Sequence, residues 1–229
     1  MTEQLIFITL AAISFILLLT SMNIVPGMNI LDAIESRNQR PAIIPLANRN
    51  ALVALILLVP VLAYLRQPNY HSIFPFPDQA PSGALLATLI FVLSTGIGGW
   101  RTAGKQIAAW GALPPVSLPR NQVQRYLMAR LFYIIVYEAY FMGFLLWLAL
   151  DYVGLPTAIA INLALYLIAH YPCERKILLG CIPMCILLCL VNYWASSVYP
   201  AILVHIALTM PYESLLGHKI SQPVKTRIA

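Results

Sequence analysis

Long apolar runs separated by short polar breaks dominate the chain. Seven of them approach the length a helix needs to cross about 30 Å of hydrocarbon: about 5–25, 50–65, 83–100, 126–150, 157–171, 177–194 and 196–216. The second, third, fifth and sixth are short, so they are expected to tilt little, extend into their polar flanks or pack as partial spans. Six or eight spans also fit the pattern. The predicted fold is an all-α polytopic membrane protein, a bundle of about seven transmembrane helices.

The polar positions inside the apolar runs are few. Four stand out in the last hundred residues: Glu138 in IIVYEAYFMGFLLWLAL, His170 at the end of AIAINLALYLIAH, and His205 and Thr209 in VYPAILVHIALTM. A carboxylate or imidazole in hydrocarbon is costly unless it faces a protein or water-filled interior, so these residues are functional candidates by default. One Glu and two His on three of the last four apolar segments can converge in one bundle. Thr209 lies one turn beyond His205 on the same helix face. A Glu and a His within reach of one water form a general-base pair, and a second His with a neighbouring hydroxyl can donate to a developing oxyanion. The bland alternative is a set of separately satisfied interhelical polar residues.

Composition agrees with the hydropathy pattern. Sixty per cent hydrophobic residues, 10% charged residues and a mean hydropathy of +0.79 exclude a soluble domain of this size. The first run follows MTEQ, with Glu3, no basic flank and no small-x-small cleavage site, so it is expected to persist as a helix rather than be removed as a signal peptide.

Charge orients the bundle. Arg37, Arg40, Arg49, Arg101, Lys105, Arg120, Arg125, Arg130, Arg175, Lys176, Lys219, Lys225 and Arg227 fall on one side of a seven-span arrangement, and of the 14 basic residues only Arg66 opposes them. The positive-inside bias then puts the N-terminus outside and the C-terminus in the cytoplasm. Single cysteines at Asn69 and Asn121 test this in intact cells: a membrane-impermeant thiol reagent is expected to reach Asn69 alone, and the reverse pattern inverts the topology. The net charge of +6 has this topological cause, and no basic patch interleaved with aromatics suggests nucleic acid.

Other features add less. Cys181, Cys185 and Cys189 repeat along one helix face and read as small packing residues. A metal site would need more charged or hard partners, so neither metal nor cofactor is expected. Cys173 flanks the membrane, where acylation is only weakly signalled. The Pro-rich segment 69–83 reads as an external loop containing a solvated His71, and 112–122 as its internal counterpart. RTAGKQIAAW, between Trp100 and Trp110, could form an interfacial amphipathic helix.

Three short motifs in order then resemble the CPBP family, the CAAX prenyl proteases and bacteriocin-processing or self-immunity membrane proteins. That family carries Glu-Glu-x-x-x-Arg, an aromatic-x-x-x-His and His-x-x-x-Asn. Here the first reads Tyr137-Glu138-Ala139-Tyr140-Phe141-Met142, followed by Gly143. The second reads Tyr166-Leu167-Ile168-Ala169-His170, and the third His205-Ile206-Ala207-Leu208-Thr209. The resemblance covers about 126–212. It divides the chain into a divergent N-terminal part (1–125), a CPBP-like core (126–216) and a cytoplasmic tail (217–229). It implies an intramembrane peptidase in which Glu138 and His170 place a water while His205 and Thr209 steady the oxyanion.

The departures are equally specific. Tyr137 stands where the family has the first Glu, Met142 where it has Arg, and Thr209 where it has Asn. A phenol, with an ordinary pKa of about 10, is no base near neutral pH. Glu138 also lacks an i+4 cation, so another donor such as a His or Tyr is one way to satisfy it. The rival expectation is therefore a catalytically inactive homologue that binds a membrane partner or peptide, as a scaffold or immunity protein. A proton-coupled transporter is disfavoured, because broken-helix and repeat signals are lacking. Expected partners are membrane lipids and a membrane-associated protein or peptide; a prokaryotic inner or plasma membrane is the expected location.

Overall fold

The computed structural model describes residues 2–24, 29–31, 43–66, 80–110, 117–173 and 175–222. His71, Asn69, Arg37, Arg40, Lys225, Arg227 and most of segment 69–83 lie outside the described residues. Among the described residues there are seven helices and no strand. They are α1 (Thr2–Ile24), α2 (Ile43–Leu65), α3 (Ser82–Ala109), α4 (Arg120–Leu150), α5 (Leu155–His170), α6 (Arg175–Ala195) and α7 (Tyr199–Ser221).

Three of the four short runs grow into their flanks, and the fifth run stays a 16-residue helix. The second run begins with Ile43 rather than near residue 50, and the third continues to Ala109. RTAGKQIAA is thus the C-terminal part of α3 and Trp110 its C-cap, with no break that would make a separate interfacial helix. Five of the described helices are long and apolar enough to cross a membrane: α1, α2, α3, α4 and α6. The other two are shorter or more polar. Helix α5 has 16 residues, and α7 carries His205, Thr209 and Glu213 within its length.

Burial separates the helices by role. Helix α4 is the most enclosed of the five, whereas α1 and α3 turn most of their surface outward. Those outward faces are apolar: Leu5, Ile6, Leu86, Leu89, Ile90 and Leu93 are each more than half exposed. Large apolar side chains displayed in this way belong against lipid rather than water. Inside, α4 packs against α2, α5, α6 and α7, and the largest apolar cluster gathers around its Ile134–Leu148 stretch.

The most extensive helix pair is α3 with α7. Where lipid is as apolar as the interface, helices associate through close van der Waals contact, and small residues permit it. Helix α3 offers a face of Ala84, Thr88, Thr95, Gly96, Gly99 and Ala103 to its neighbours. Thr95 Oγ1 donates to the Val204 carbonyl at 3.4 Å, and Gly99 lies directly against the Leu208 carbonyl. Pro211 within α7 has no N–H for the Ala207 carbonyl, and that oxygen faces Gly96 and Gly99.

Candidate functional site

Helix α4 changes form beside its acidic residue. It runs as an α-helix from Arg120 to Glu138, widens into a π-helix over Ala139–Leu145, and resumes as an α-helix over Leu146–Leu150. A π segment is rare and frequently accompanies function, because it re-aims the side chains on either side of it. Glu138 is the last residue before the widening and is fully buried.

Helices α4 and α7 run antiparallel in a constant register. Glu138 Oε1 lies 2.5 Å from His205 Nδ1. Eight residues back along α4 and eight forward along α7, Arg130 Nε bonds Glu213 Oε1 at 3.0 Å. Tyr126 OH donates to the other Glu213 oxygen, and the Arg130 guanidinium sits 5.4 Å from the centre of the Tyr133 ring. The two acid–base bridges have opposite sense: α4 supplies the acid in one and the base in the other. Eight residues of helix rise about 12 Å, which sets their spacing.

His170 is held separately. Its ring stacks on Tyr166 with centroids 4.3 Å apart, and Nδ1 lies 2.8 Å from the Tyr166 carbonyl. A carbonyl only accepts, so Nδ1 carries the hydrogen and Nε2 keeps its lone pair. Tyr137 OH lies 3.3 Å from the same Nδ1. The buried Tyr137 ring meets both imidazoles edge-on, with centroids 5.9 Å from His170 and 6.3 Å from His205. The position that carries a carboxylate in the resembled motif is thus a phenol wedged between two histidines.

These groups share one cavity of about 380 Å³, lined by His170, His205, Thr209, Arg130, Tyr166 and Cys181 among others. Each histidine is anchored through Nδ1, which leaves Nε2 as the nitrogen available to the cavity. Glu138 stands behind His205, and its Oε2 has no hydrogen-bond partner among the described residues. A carboxylate at Nδ1 fixes an imidazole's tautomer and orientation, with the lone pair on Nε2.

Of the four residues singled out from sequence, His170, His205 and Thr209 line one cavity and Glu138 reaches it through His205, but the pairing differs from the expectation. Glu138 bonds His205 rather than His170, because the side chain after Tyr137 points about 100° further round α4, toward α7. Tyr137 occupies the His170 side. The donor that Glu138 lacked at Met142 is His205. Met142 itself is buried: its sulfur receives Asn162 Nδ2 at 3.4 Å and lies 3.6 Å from Cys189 Sγ.

Residues that sequence reasoning missed also shape the site. Arg130 entered only as a topology charge, yet it is 8% exposed and lines the cavity. Arg49, counted in the same way, is buried within α2, with Nη2 donating to Asn50 Oδ1 at 3.2 Å. Glu213 and Asn192, both buried, were not singled out at all. Their signal was the same one that flagged Glu138, a polar side chain inside an apolar helix. Among the described residues no three His, Cys, Asp or Glu side chains are placed to share a metal ion.

Residues 119–210 match the family model described as Type II CAAX prenyl endopeptidase Rce1-like. Comparisons with curated proteins and with solved structures find no match. The matched stretch contains the whole Glu138, His170, His205 and Thr209 constellation, and five described helices are long and apolar enough to span a bilayer. Residues 119–210 of this integral membrane protein form an Rce1-like domain of the CPBP family.

Proposed function

We propose that the protein is an intramembrane peptidase that hydrolyses a peptide bond of a membrane-associated substrate. The observation that carries this reading is the Glu138–His205 bond behind a cavity that His170 also lines. His205 Nε2, with Nδ1–H held on the Glu138 carboxylate, takes a proton from a water bound between the two histidines. The resulting hydroxide attacks the substrate carbonyl carbon. The oxyanion receives the Thr209 hydroxyl hydrogen and an N–H of Arg130, whose Nε is already fixed by Glu213. Collapse of the tetrahedral intermediate breaks the C–N bond, and His205 returns its proton to the leaving amine.

A second reading has its own support. Tyr137 and Met142 replace the resembled motif's carboxylate and cation, and the phenol oxygen lies 3.3 Å from His170. That arrangement suits a binding protein that keeps a polar cavity without hydrolysis.

One comparison separates the two. Purified protein in liposomes is incubated with a library of membrane-anchored peptides, and products are read by mass spectrometry. A peptidase yields defined products that His170→Ala reduces to background, while Tyr137→Glu with Met142→Arg retains or raises the rate. A binding protein yields no products. Its cellular role survives His170→Ala but fails when the cavity is filled by Gly180→Trp, at a lining position where an added Cβ meets nothing within 4 Å.

A further inference from the structure

Asn192, near the end of α6, is fully buried and uses both ends of its amide. Oδ1 accepts the N–H of Ala201 at 3.1 Å, and Nδ2 donates to the carbonyl of Met142 at 3.4 Å. Each partner is a main-chain group at an irregular point of its helix. Ala201 lies in the first turn of α7, where N–H groups have no carbonyl one turn back, and the residue before α7, Val198, offers no side-chain cap. Met142 lies within the π segment of α4, where the regular carbonyl spacing is broken.

The positions fit the helix register already described. Met142 is four residues beyond Glu138, and Ala201 is four residues before His205. The Asn192 bridge is therefore the next rung of the same antiparallel ladder, one turn beyond the Glu138–His205 bond, with Arg130–Glu213 two turns away on the other side. The Asn192 main chain is tied to the same corner, since its carbonyl accepts Ser197 N–H at 3.0 Å. One side chain thus fixes both the widened turn that follows the acid and the first turn of the helix that carries the base.

We infer that Asn192 is the positioning residue of the Glu138–His205 pair: it caps α7 from a neighbouring helix, holds the π segment of α4, and so sets the carboxylate-to-imidazole bond. The inference rests on reading that pair as the reacting pair, but its readout does not require cleavage, so the two can fail separately.

The test uses the full chain in detergent micelles, with histidine labelled by nitrogen-15 and signals assigned from His170→Gln and His205→Gln. In the parent protein His205 should show a slowly exchanging Nδ1–H, shielded by the Glu138 carboxylate. Asn192→Ala should remove that signal or speed its exchange at least tenfold while leaving the His170 Nδ1–H within twofold. With Glu138→Gln already present, Asn192→Ala should add no further change at His205, because coupled residues are not additive. An unchanged His205 signal in Asn192→Ala overturns the inference, as does equal loss at both histidines. Should Asn192→Ala not purify folded, Asn192→Asp carries the test: it keeps the acceptor for Ala201 and loses the donor to Met142. A weakened His205 signal beside an intact His170 signal then supports the role, and two unchanged signals overturn it.

Discussion

Glu213→Ala is expected to lower stability by about 3–5 kcal/mol, because it leaves a buried guanidinium without its carboxylate. Arg130 is 8% exposed, and its only ion pair among the described residues is the 3.0 Å contact with Glu213. The Tyr126 hydroxyl would lose its acceptor in the same step. For a chain of this size the loss corresponds to a fall in Tm of roughly 6–20 °C, measurable by thermal unfolding in a fixed detergent. Arg130→Met with Glu213→Leu should recover most of it, since an apolar pair of similar volume avoids the desolvation that the ion pair must offset. A Glu213→Ala protein that melts with the parent would show that the bridge holds nothing together.

Gly99→Ala is expected to force α3 away from α7. A Cβ at this position would lie 2.3 Å from the Leu208 carbonyl oxygen and 3.3 Å from its carbon. A backbone oxygen cannot rotate aside as a side chain can, so the helices must separate. Overpacking of this kind costs about 1–3 kcal/mol, sometimes more. The displaced segment lies between His205 and Thr209, so the change should also loosen the His205–Glu138 bond. Gly98→Ala is the control: its added carbon meets nothing within 4 Å, and replacing a helical glycine there should be neutral or stabilising by up to about 1 kcal/mol. If both variants melt alike, the close approach of α3 and α7 is not what places the site.

The candidate site was legible as far as single helices allow. Glu138, His170, His205 and Thr209 stand out because each is polar within an apolar run, and that property is local. Pairing is not local. Which imidazole meets Glu138 depends on the angle between Tyr137 and Glu138 around α4 and on the register in which α7 lies alongside, and one sequence carries neither directly. Arg130 and Arg49 entered only as topology charges for a related reason. Near the end of a run, a basic residue that anchors at an interface and one that turns inward to a buried polar partner look the same until the opposing helix is known. Asn162 and Asn192 could have been flagged by the rule that flagged Glu138, since both interrupt apolar helices.

Hydropathy determined the class of this protein, its helical character and the approximate number and order of its helices. A long apolar run in lipid has few ways to satisfy its own backbone, and helix is the one available to a single segment. Motif order along the chain sufficed to suggest the family, because its three motifs follow one another on α4, α5 and α7. Helix ends, the π segment after Glu138, the α4–α7 register and the Glu138–His205 bond were decided only by tertiary structure. Each depends on contacts between residues far apart in the chain: Asn192 on the Met142 carbonyl, the Leu208 carbonyl against Gly99, and Glu213 on Arg130. Such contacts are set by how closely two helix surfaces approach, and that distance is a property of the pair.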